Sequence, residues 1–430
     1  MTSPDPEVLA ARRARVAAAL GLSNEILLIG AGDPVPLPED TDQTYPYRSH
    51  ADYVYLAGRE IPGGVLAFDP QRGPRRGWVS FVPKITETQR VWDTRSQDPG
   101  VLMSKFGPWL KARSRRPRLS LGSPLPRIGG DARVSARARE LFLHARRPKD
   151  AVEIAEIRRA CAATAKGYGA VRRKLRPGLS ERALQIEIET GFCRGGADRP
   201  GYGTIVGGGP QSGVLHSHPS MRVVRKGEFV LIDAGAEVGR YMADVTRTFV
   251  VGGRPTGFQR DLHQLVREVE QAGCARCKPG AEWKDIHLAA AVELTAGLVA
   301  MKVMRGKAET LVERKAHRIF FPHGIGHLVG LGVRDASGRL PARRKNHSPA
   351  LENLRMDLPL EVGYVTTVEP GIYFIAAILH DPVRRRRFRE CVNWKLAEEH
   401  IQTGGVRIED TVLVTANGPE ILTASIPLDP

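Results

Sequence analysis

The stretch FVLIDAGAEVGRYMADVTRTFV, residues 229–250, contains two apolar segments that flank a glycine and carry one aspartate each. The pattern predicts two strands, and a two-residue loop at Val238-Gly239 would join them as a hairpin. Continuing that register places Asp233 directly opposite Asp244, about 5 Å away on the same face. The stretch therefore predicts a β-hairpin that holds two facing carboxylates in apolar surroundings.

Such a pair of aspartates needs a partner. Two carboxylates in apolar strands repel each other and cost free energy unless they share protons or bind cations. Two divalent ions about 3.5–4 Å apart could be bridged or chelated by both side chains. The simpler alternative is that one or both are strand-end aspartates that face water, as a single aspartate often does.

Three later segments carry side chains of the same ligand type. PHGIGH, residues 322–327, has two histidines four residues apart among glycines, which let the backbone approach a ligand closely. VEPG, residues 368–371, and GVRIED, residues 405–410, each place a glutamate at or inside an apolar run. Four carboxylates and one imidazole suit Mn²⁺, and also Co²⁺, Fe²⁺ or Zn²⁺. The combination predicts a metal centre more strongly than any one segment.

The composition favours a globular protein of more than one domain. The chain has 430 residues, 42% of them apolar and 26% charged, which suits two or three packed domains. A boundary is predicted near residues 146–149, where Asp150 and Glu153 form a capping-box pattern before a helix over 151–166. We therefore expect one domain over residues 1–147 and a second, α+β in architecture, over residues 148–430.

The charge and the cysteines exclude little but favour an ordinary soluble protein. The net charge is +17. Residues 1–147 carry 23 Lys+Arg against 15 Asp+Glu, and the remainder 41 against 32, so the excess is not a basic tail. The basic runs lack interleaved aromatic residues, which argues against nucleic-acid binding.

Cys274 and Cys277 form a lone CxxC in a helical pattern, and we interpret them as half-buried helix cysteines rather than a metal or redox site.

A membrane location is not expected. No uninterrupted apolar run reaches about 18 residues. The first residues also lack the basic-then-apolar pattern of a secretory signal. The expected location is the cytoplasm.

The ordered segments LIDAG, ADVTRT, HGIGH, VEPG and GVRIED resemble those of the pita-bread metallopeptidases, which include methionine aminopeptidases, aminopeptidase P and prolidases. The resemblance covers about residues 148–430. YRSHADYVYLAG, residues 47–58, resembles the creatinase-like α/β N-terminal domain of aminopeptidase P and prolidase. The resemblance implies a pita-bread catalytic domain preceded by that smaller domain, and a homodimer.

The resemblance also implies a role for each matching residue. The two-metal ligands would be Asp233, Asp244, His327, Glu369 and Glu409, with Mn²⁺ favoured. Glu369 would also accept a proton from a metal-activated water, and His216 would stabilise the tetrahedral intermediate. His323 and Arg407 would face the substrate.

Within the family, the segment between the last two glutamates resembles that of prolidases. It spans 40 residues from Glu369 to Glu409. The predicted function is hydrolysis of the imide bond of Xaa-Pro dipeptides. The alternatives are an aminopeptidase P that acts on longer peptides and a non-catalytic pita-bread binding protein, although such binding proteins usually lack the metal ligands.

The sequence departs from the family at two positions. Ser217 follows His216 where a tyrosine is frequent, and Arg334 stands where a histidine is usual, seven residues after His327. Arginine is a permanent cation whose planar fork fits a carboxylate. Arg334 could therefore bind the substrate carboxylate and select dipeptides, or it could form an internal ion pair, for instance with Asp335.

Overall fold

The computed structural model describes residues 4–38, 43–93, 96–125, 136–341, 343–344 and 349–430. The chain divides into two compact units, Met1–Arg146 and Arg147–Pro430. The division falls one residue before the predicted boundary. Each unit has apolar residues buried in its own interior.

The first unit is a mixed sheet with helices. Its strands are β1 Ile26–Gly30, β2 Val65–Phe68, β3 Trp78–Val82, β4 Val101–Leu102 and β5 Arg118–Gly122. Its helices are α1 Pro6–Leu20, α2 Ala51–Ala57, α3 Gly73–Arg76, α4 Glu87–Asp93, α5 Phe106–Lys111 and α6 Ala136–Arg146. The strand order is β4-β3-β2-β1-β5, with β1 parallel to β5 and antiparallel to β2.

The second unit combines long helices with short antiparallel strands. Its helices are α7 Ala151–Lys174, α8 Glu181–Arg194, α9 Gly257–Ala275, α10 Trp283–Ala300, α11 Ala308–Glu313, α12 Ala376–Leu379, α13 Pro382–Arg387 and α14 Trp394–Glu399. Its strands are β6 Arg199–Pro200, β7 Ile205–Gly208, β8 Phe229–Asp233, β9 Ala236–Val238, β10 Tyr241–Met242, β11 Thr246–Val250, β12 Gly338–Arg339, β13 Met356–Asp357, β14 Val365–Val368, β15 Gly371–Tyr373, β16 Gly405–Arg407, β17 Asp410–Thr415 and β18 Gly418–Ile421. This mixture agrees with the expected α+β class.

Two of its sheets meet where the ligand-type residues lie. One has the order β11-β8-β7 and the other β14-β17-β18. A bridge between Thr246 and Glu409 joins them: each backbone N–H donates to the other residue's carbonyl, at 3.4 and 3.1 Å. An apolar core that includes Trp283, Val368 and Ile408 packs behind these strands. The strand ends are therefore held rigidly by backbone pairing and by core packing.

The helix beginnings follow the predicted capping signals. The Asp150 side chain accepts from the Glu153 backbone N–H at 3.0 Å, and Glu153 accepts from the Asp150 N–H at 3.1 Å, so the capping box is formed. Helix α7 continues to Lys174, eight residues beyond the predicted end. Ser180 caps α8 in a similar way, by accepting from the Ala183 N–H at 3.1 Å.

The predicted register of the aspartate hairpin is wrong by two residues. Asp233 pairs with Thr246, and Val238 pairs with Tyr241, so the turn residues are Gly239 and Arg240. Both have positive φ, 56° and 77°, as a tight hairpin turn of type I′ requires. A β-branched valine in that conformation would be strained, so the turn lies one residue further along. A slip of two residues keeps every side chain on its original face.

The structure also bears on the predictions made for the CxxC cysteines and for membrane spans. Cys274 and Cys277 are free and fully buried rather than half-buried, and Cys277 lies just past the end of α9. No helix in the described part of the chain combines the length and apolar character that a membrane crossing requires.

Candidate metal centre

The structure brings the five predicted ligands to one cavity of about 440 Å³. Each of the four carboxylates lies within two residues of a strand end. Asp233 ends β8, Asp244 precedes β11, Glu369 follows β14, and Glu409 precedes β17. His327 is held against β14, where its carbonyl accepts from the Thr367 N–H at 2.8 Å and its own N–H donates to Thr367 Oγ1 at 3.1 Å. Residues far apart in the sequence therefore converge because their strands pair.

The ligand-type atoms lie close together. One such atom from each of Asp244, His327 and Glu409 lies within 4.8 Å of the others. His327 Nε2 is 3.6 Å from Asp244 Oδ2 and 3.8 Å from Glu369 Oε1. Asp233, Asp244, His327 and Glu409 are buried, and Glu369 is half-buried. We call these five residues the acidic floor of the cavity.

Neighbouring side chains hold the carboxylates in place. Arg407 donates to Asp233 Oδ2 at 2.7 Å, and the Thr246 hydroxyl donates to Glu409 Oε2 at 2.6 Å. The Tyr202 hydroxyl lies 2.7 Å from Asp233 Oδ1 and 2.5 Å from Asp244 Oδ1. A phenol has one hydrogen to donate, so the Tyr202 hydroxyl can donate to only one of the two aspartates at a time.

The carboxyl groups of the floor resist being ionised together. Burial and then the charge of Asp233 raise the pKa of Asp244 well above its usual range. Burial, followed by Asp244 and Glu369, raises the pKa of Glu409 in the same direction. Burial raises the pKa of Glu369 to about 7, even though Arg407 opposes the shift. Cations placed among these groups would remove the repulsion, so the donor set fits divalent metal ions.

The histidine of the floor has the tautomer that a metal ligand needs. His327 Nδ1 lies 3.2 Å from the Leu328 carbonyl, which can only accept, so Nδ1 carries the proton. Nε2, which points toward Asp244 and Glu369, then has a free lone pair. Burial lowers the pKa of His327 to about 4, which keeps the ring neutral at pH 7. A proton on one nitrogen held by a carbonyl is the usual arrangement behind a metal-bound histidine.

His323 and Arg407 are tied into the protein by a hydrogen-bond chain. Arg407 Nη1 donates to the Tyr373 hydroxyl at 3.0 Å, and that hydroxyl lies 2.8 Å from His323 Nε2. His323 Nδ1 lies 2.8 Å from the Gly324 carbonyl. Arg407 Nε donates to the Thr246 hydroxyl at 3.1 Å. Three of the five N–H donors of Arg407 are therefore used within the protein, and its side chain also lines the cavity.

The remaining predicted residues lie at the exposed side of the cavity. His216 and Arg334 both line it and both are exposed. Burial lowers the pKa of His216, and the charge of Arg334 is the next largest cause, so the ring is neutral at pH 7. Arg334 does not pair with Asp335. The Asp335 carboxylate instead accepts from Lys149 Nζ at 2.9 Å.

Three polar or charged side chains of the cavity were not identified from the sequence. These are Tyr202, His218 and Arg355. Tyr202 stands between two glycines just before β7, and Arg355 just before β13, and neither context marks a site. His218 lies two residues after His216, which is the one signal that could have indicated it. We call the exposed side chains His216, His218, Arg334 and Arg355 the cationic rim, after its two arginines.

Two family models match the chain. Metallopeptidase family M24 matches residues 155–416, and the aminopeptidase P N-terminal domain matches residues 9–108. The chain belongs to metallopeptidase family M24. The predicted pita-bread fold with a preceding N-terminal domain is confirmed by these matches.

Known relatives extend over nearly the whole chain. A probable Xaa-Pro aminopeptidase of Ajellomyces capsulatus is 28% identical, over 94% of this chain and 91% of its own length. The structure of aminopeptidase PepP of Pseudomonas aeruginosa is 28% identical with a TM-score of 0.80, and the match covers 99% of this chain and 96% of that one. Zinc-substituted aminopeptidase P of Escherichia coli, in complex with product, is 26% identical with a TM-score of 0.77, over 99% and 96%. The chain is thus a metallopeptidase, and these three relatives are named aminopeptidases rather than dipeptidases.

Proposed function

We propose that the protein is an Xaa-Pro aminopeptidase that removes the first residue from peptides with proline in second place. This replaces the dipeptidase predicted from the sequence, because the relatives that match over almost their full length carry the aminopeptidase name. The single observation that carries the activity is the acidic floor, in which four carboxylates and one neutral imidazole converge at the end of a 440 Å³ cavity. Residues 1–147 and 148–430 are proposed as its N-terminal and catalytic domains.

The proposed ligands of two divalent ions are Asp233, Asp244, His327, Glu369 and Glu409. Manganese is the proposed metal, because hard oxygen ligands with one nitrogen suit it. When bound, such ions polarise a carbonyl and lower the pKa of a water molecule. Arg407, Thr246 and Tyr202 each hydrogen-bond a floor carboxylate, and they would fix its orientation toward the ions.

The remaining proposed roles concern His216, Glu369 and His323, which act on the water or on the substrate. His216 is neutral and exposed to the cavity, so its N–H can donate to the negative oxygen that develops at the scissile carbonyl. Glu369, half-buried at the same cavity, would take the proton of the attacking water and pass it to the proline nitrogen. His323 lines the cavity beside Glu369, with 3.8 Å between Nδ1 and Oε2, and would contact the substrate. A bond to proline has no N–H, so this leaving group is recognised by shape and by its ends.

The test is hydrolysis of Ala-Pro-Ala and Ala-Pro by the manganese-loaded protein, with Ala-Ala-Ala as the control for the proline requirement. We expect release of alanine and Pro-Ala from the first peptide, much slower cleavage of the dipeptide, and loss of activity after chelation. Faster cleavage of Ala-Pro would restore the dipeptidase interpretation. Full activity in chelated protein would reject the metal mechanism. Light scattering would test the homodimer predicted from the family.

A further inference from the structure

Two arginines at the cavity form no ion pair with any residue that the structure describes. Arg334 and Arg355 both line the cavity and are exposed, and among the residues that the structure describes neither has a hydrogen bond or an ion pair. Arg407, the third arginine of the cavity, instead donates to Asp233, Tyr373 and Thr246. The rim arginines therefore differ from Arg407 in having their donors available to a ligand.

The backbone that follows Arg334 is fixed while the Arg334 side chain remains available. Lys149 Nζ donates to Asp335 Oδ2 at 2.9 Å, and both side chains are buried. Arg147 Nε donates to the Ala336 carbonyl at 2.8 Å, and Arg147 Nη2 donates to the Arg339 carbonyl at the same distance. A cation on an anchored segment loses less conformational freedom when it binds an anion, which favours binding.

The rim arginines act electrostatically on the groups that surround the reaction. After burial, the charge of Arg334 is the next cause that lowers the pKa of His216, and Arg355 contributes in the same direction. The acidic groups that line the cavity are the four floor carboxylates. Two divalent ions would balance those four charges and leave the arginines uncompensated. The loaded cavity would then be positive, and the surplus would lie at the rim.

A positive rim orients a peptide. The free ammonium group at the substrate N-terminus is repelled by Arg334 and Arg355, whereas a carboxylate is attracted to them. The part of the substrate that leaves with proline therefore lies toward the rim. A planar guanidinium can bind a carboxylate through two parallel hydrogen bonds.

We propose that Arg334, assisted by Arg355, binds a carboxylate on the leaving-group part of the substrate, so that the enzyme prefers Xaa-Pro peptides that carry one within reach. This inference rests on the proposed function and names the substrate class of the same site. The carboxylate has two possible sources, the C-terminus of a short peptide and an acidic side chain after proline. Both present the same chemistry to the guanidinium.

The test compares matched peptides with and without the carboxylate. Ala-Pro-Ala is paired with its C-terminal amide, and Ala-Pro-Glu-amide with Ala-Pro-Gln-amide. The variants are Arg334→Met, Arg334→Lys and, as matched control, Arg254→Met, because Arg254 is exposed and does not line the cavity. The measured quantities are kcat/KM for each peptide and the bound metal in each variant.

We expect the wild-type enzyme to prefer the carboxylate-bearing member of at least one pair by roughly tenfold, as for a partly exposed charge-assisted bond. Arg334→Met should abolish that preference, so that acid and amide have equal kcat/KM, while the metal content stays unchanged. Arg334→Lys should retain part of it, and Arg254→Met should retain all of it. The pair that shows the preference identifies the source of the carboxylate.

The proposal is overturned if the wild-type enzyme shows no preference in either pair, or if Arg334→Met lowers kcat/KM equally for acid and amide. Calorimetric binding of the product Pro-Ala and of its amide separates this failure from failure of the proposed function, since binding needs no turnover. A roughly tenfold loss of Pro-Ala affinity confined to Arg334→Met supports the carboxylate site even if no peptide is cleaved. Unchanged affinity for Pro-Ala rejects the C-terminal source, and unchanged affinity for Pro-Glu-amide as well rejects the proposal.

Discussion

The acidic floor and the cationic rim are two sides of one cavity, and they differ in burial: most floor side chains are buried, whereas the rim side chains are exposed. The floor consists of groups at strand ends, and four of its five members are buried. Their charges repel, so the fold must hold them together by strand pairing and by donors such as Arg407. The rim side chains are exposed and cost little to place. The floor can therefore tolerate few substitutions, whereas the rim can change its chemistry without disturbing the fold.

The largest effect is expected from the floor itself. Asp244→Asn removes one negative ligand that lies 3.6 Å from His327 Nε2. We expect loss of at least one of the two ions and a fall in kcat greater than the 10²–10³-fold typical of losing one oxyanion donor. Metal analysis of the purified variant beside the wild type measures the first effect and a peptide assay the second. Normal metal content with normal activity would exclude Asp244 as a ligand.

A smaller effect is expected at the rim. His216→Ala removes a neutral donor at the exposed side and should lower kcat by about 10²–10³-fold. Because His216 is not a proposed ligand, the variant should bind both ions as the wild type does. Substantial loss of metal from this variant would place His216 in the floor and would erase the distinction between the two regions.

The next smaller effect is expected at Tyr202, which contacts floor carboxylates but is not a proposed metal ligand. Tyr202→Phe removes the hydroxyl that contacts both aspartates. Metal affinity should fall by about 10–100-fold, as for other groups that orient ligands. The control is Tyr241→Phe, since the Tyr241 hydroxyl contacts the Glu153 carboxylate instead. Equal effects of the two variants on metal affinity would show that the contact with the aspartates is not responsible.

The smallest effect is expected at Glu270, a buried residue of α9. Burial, followed by the charge of Asp410, raises the pKa of Glu270 to about 8, from 4.5 when exposed. Between these pH values the folded protein keeps a proton that the unfolded chain releases, so stability falls as pH rises through the window. Glu270→Gln should remove part of that fall, by a few degrees in Tm between pH 5 and pH 8.

Metal-free protein is the material for this measurement, so that ion binding does not contribute to Tm. Glu268→Gln is the matched control, because Glu268 is an exposed residue of the same helix, α9. The same pH dependence in wild type and Glu270→Gln would mean that Glu270 ionises normally in the folded state.

The sequence by itself determined the fold family and named the candidate metal ligands that the structure brings together. Apolar strands ending in acids, a histidine pair among glycines and a capping box are local patterns, and local patterns can be recognised from one chain. The register of the hairpin was wrong, yet Asp233 and Asp244 still converge on Tyr202. A slip of two residues preserves the face of a strand, so the prediction of a carboxylate pair survived the error.

Only the tertiary structure decided what surrounds those residues. Arg407 was predicted to bind substrate, and in the structure three of its five donors are used by Asp233, Tyr373 and Thr246, which come from three separate segments. The sequence could not show whether Arg334 pairs with Asp335. In the structure the Asp335 carboxylate pairs with Lys149 instead. Whether a charge is paired depends on neighbours that are distant in sequence. A pattern can therefore name the residues of this site, whereas packing alone shows which of them are free to meet a substrate.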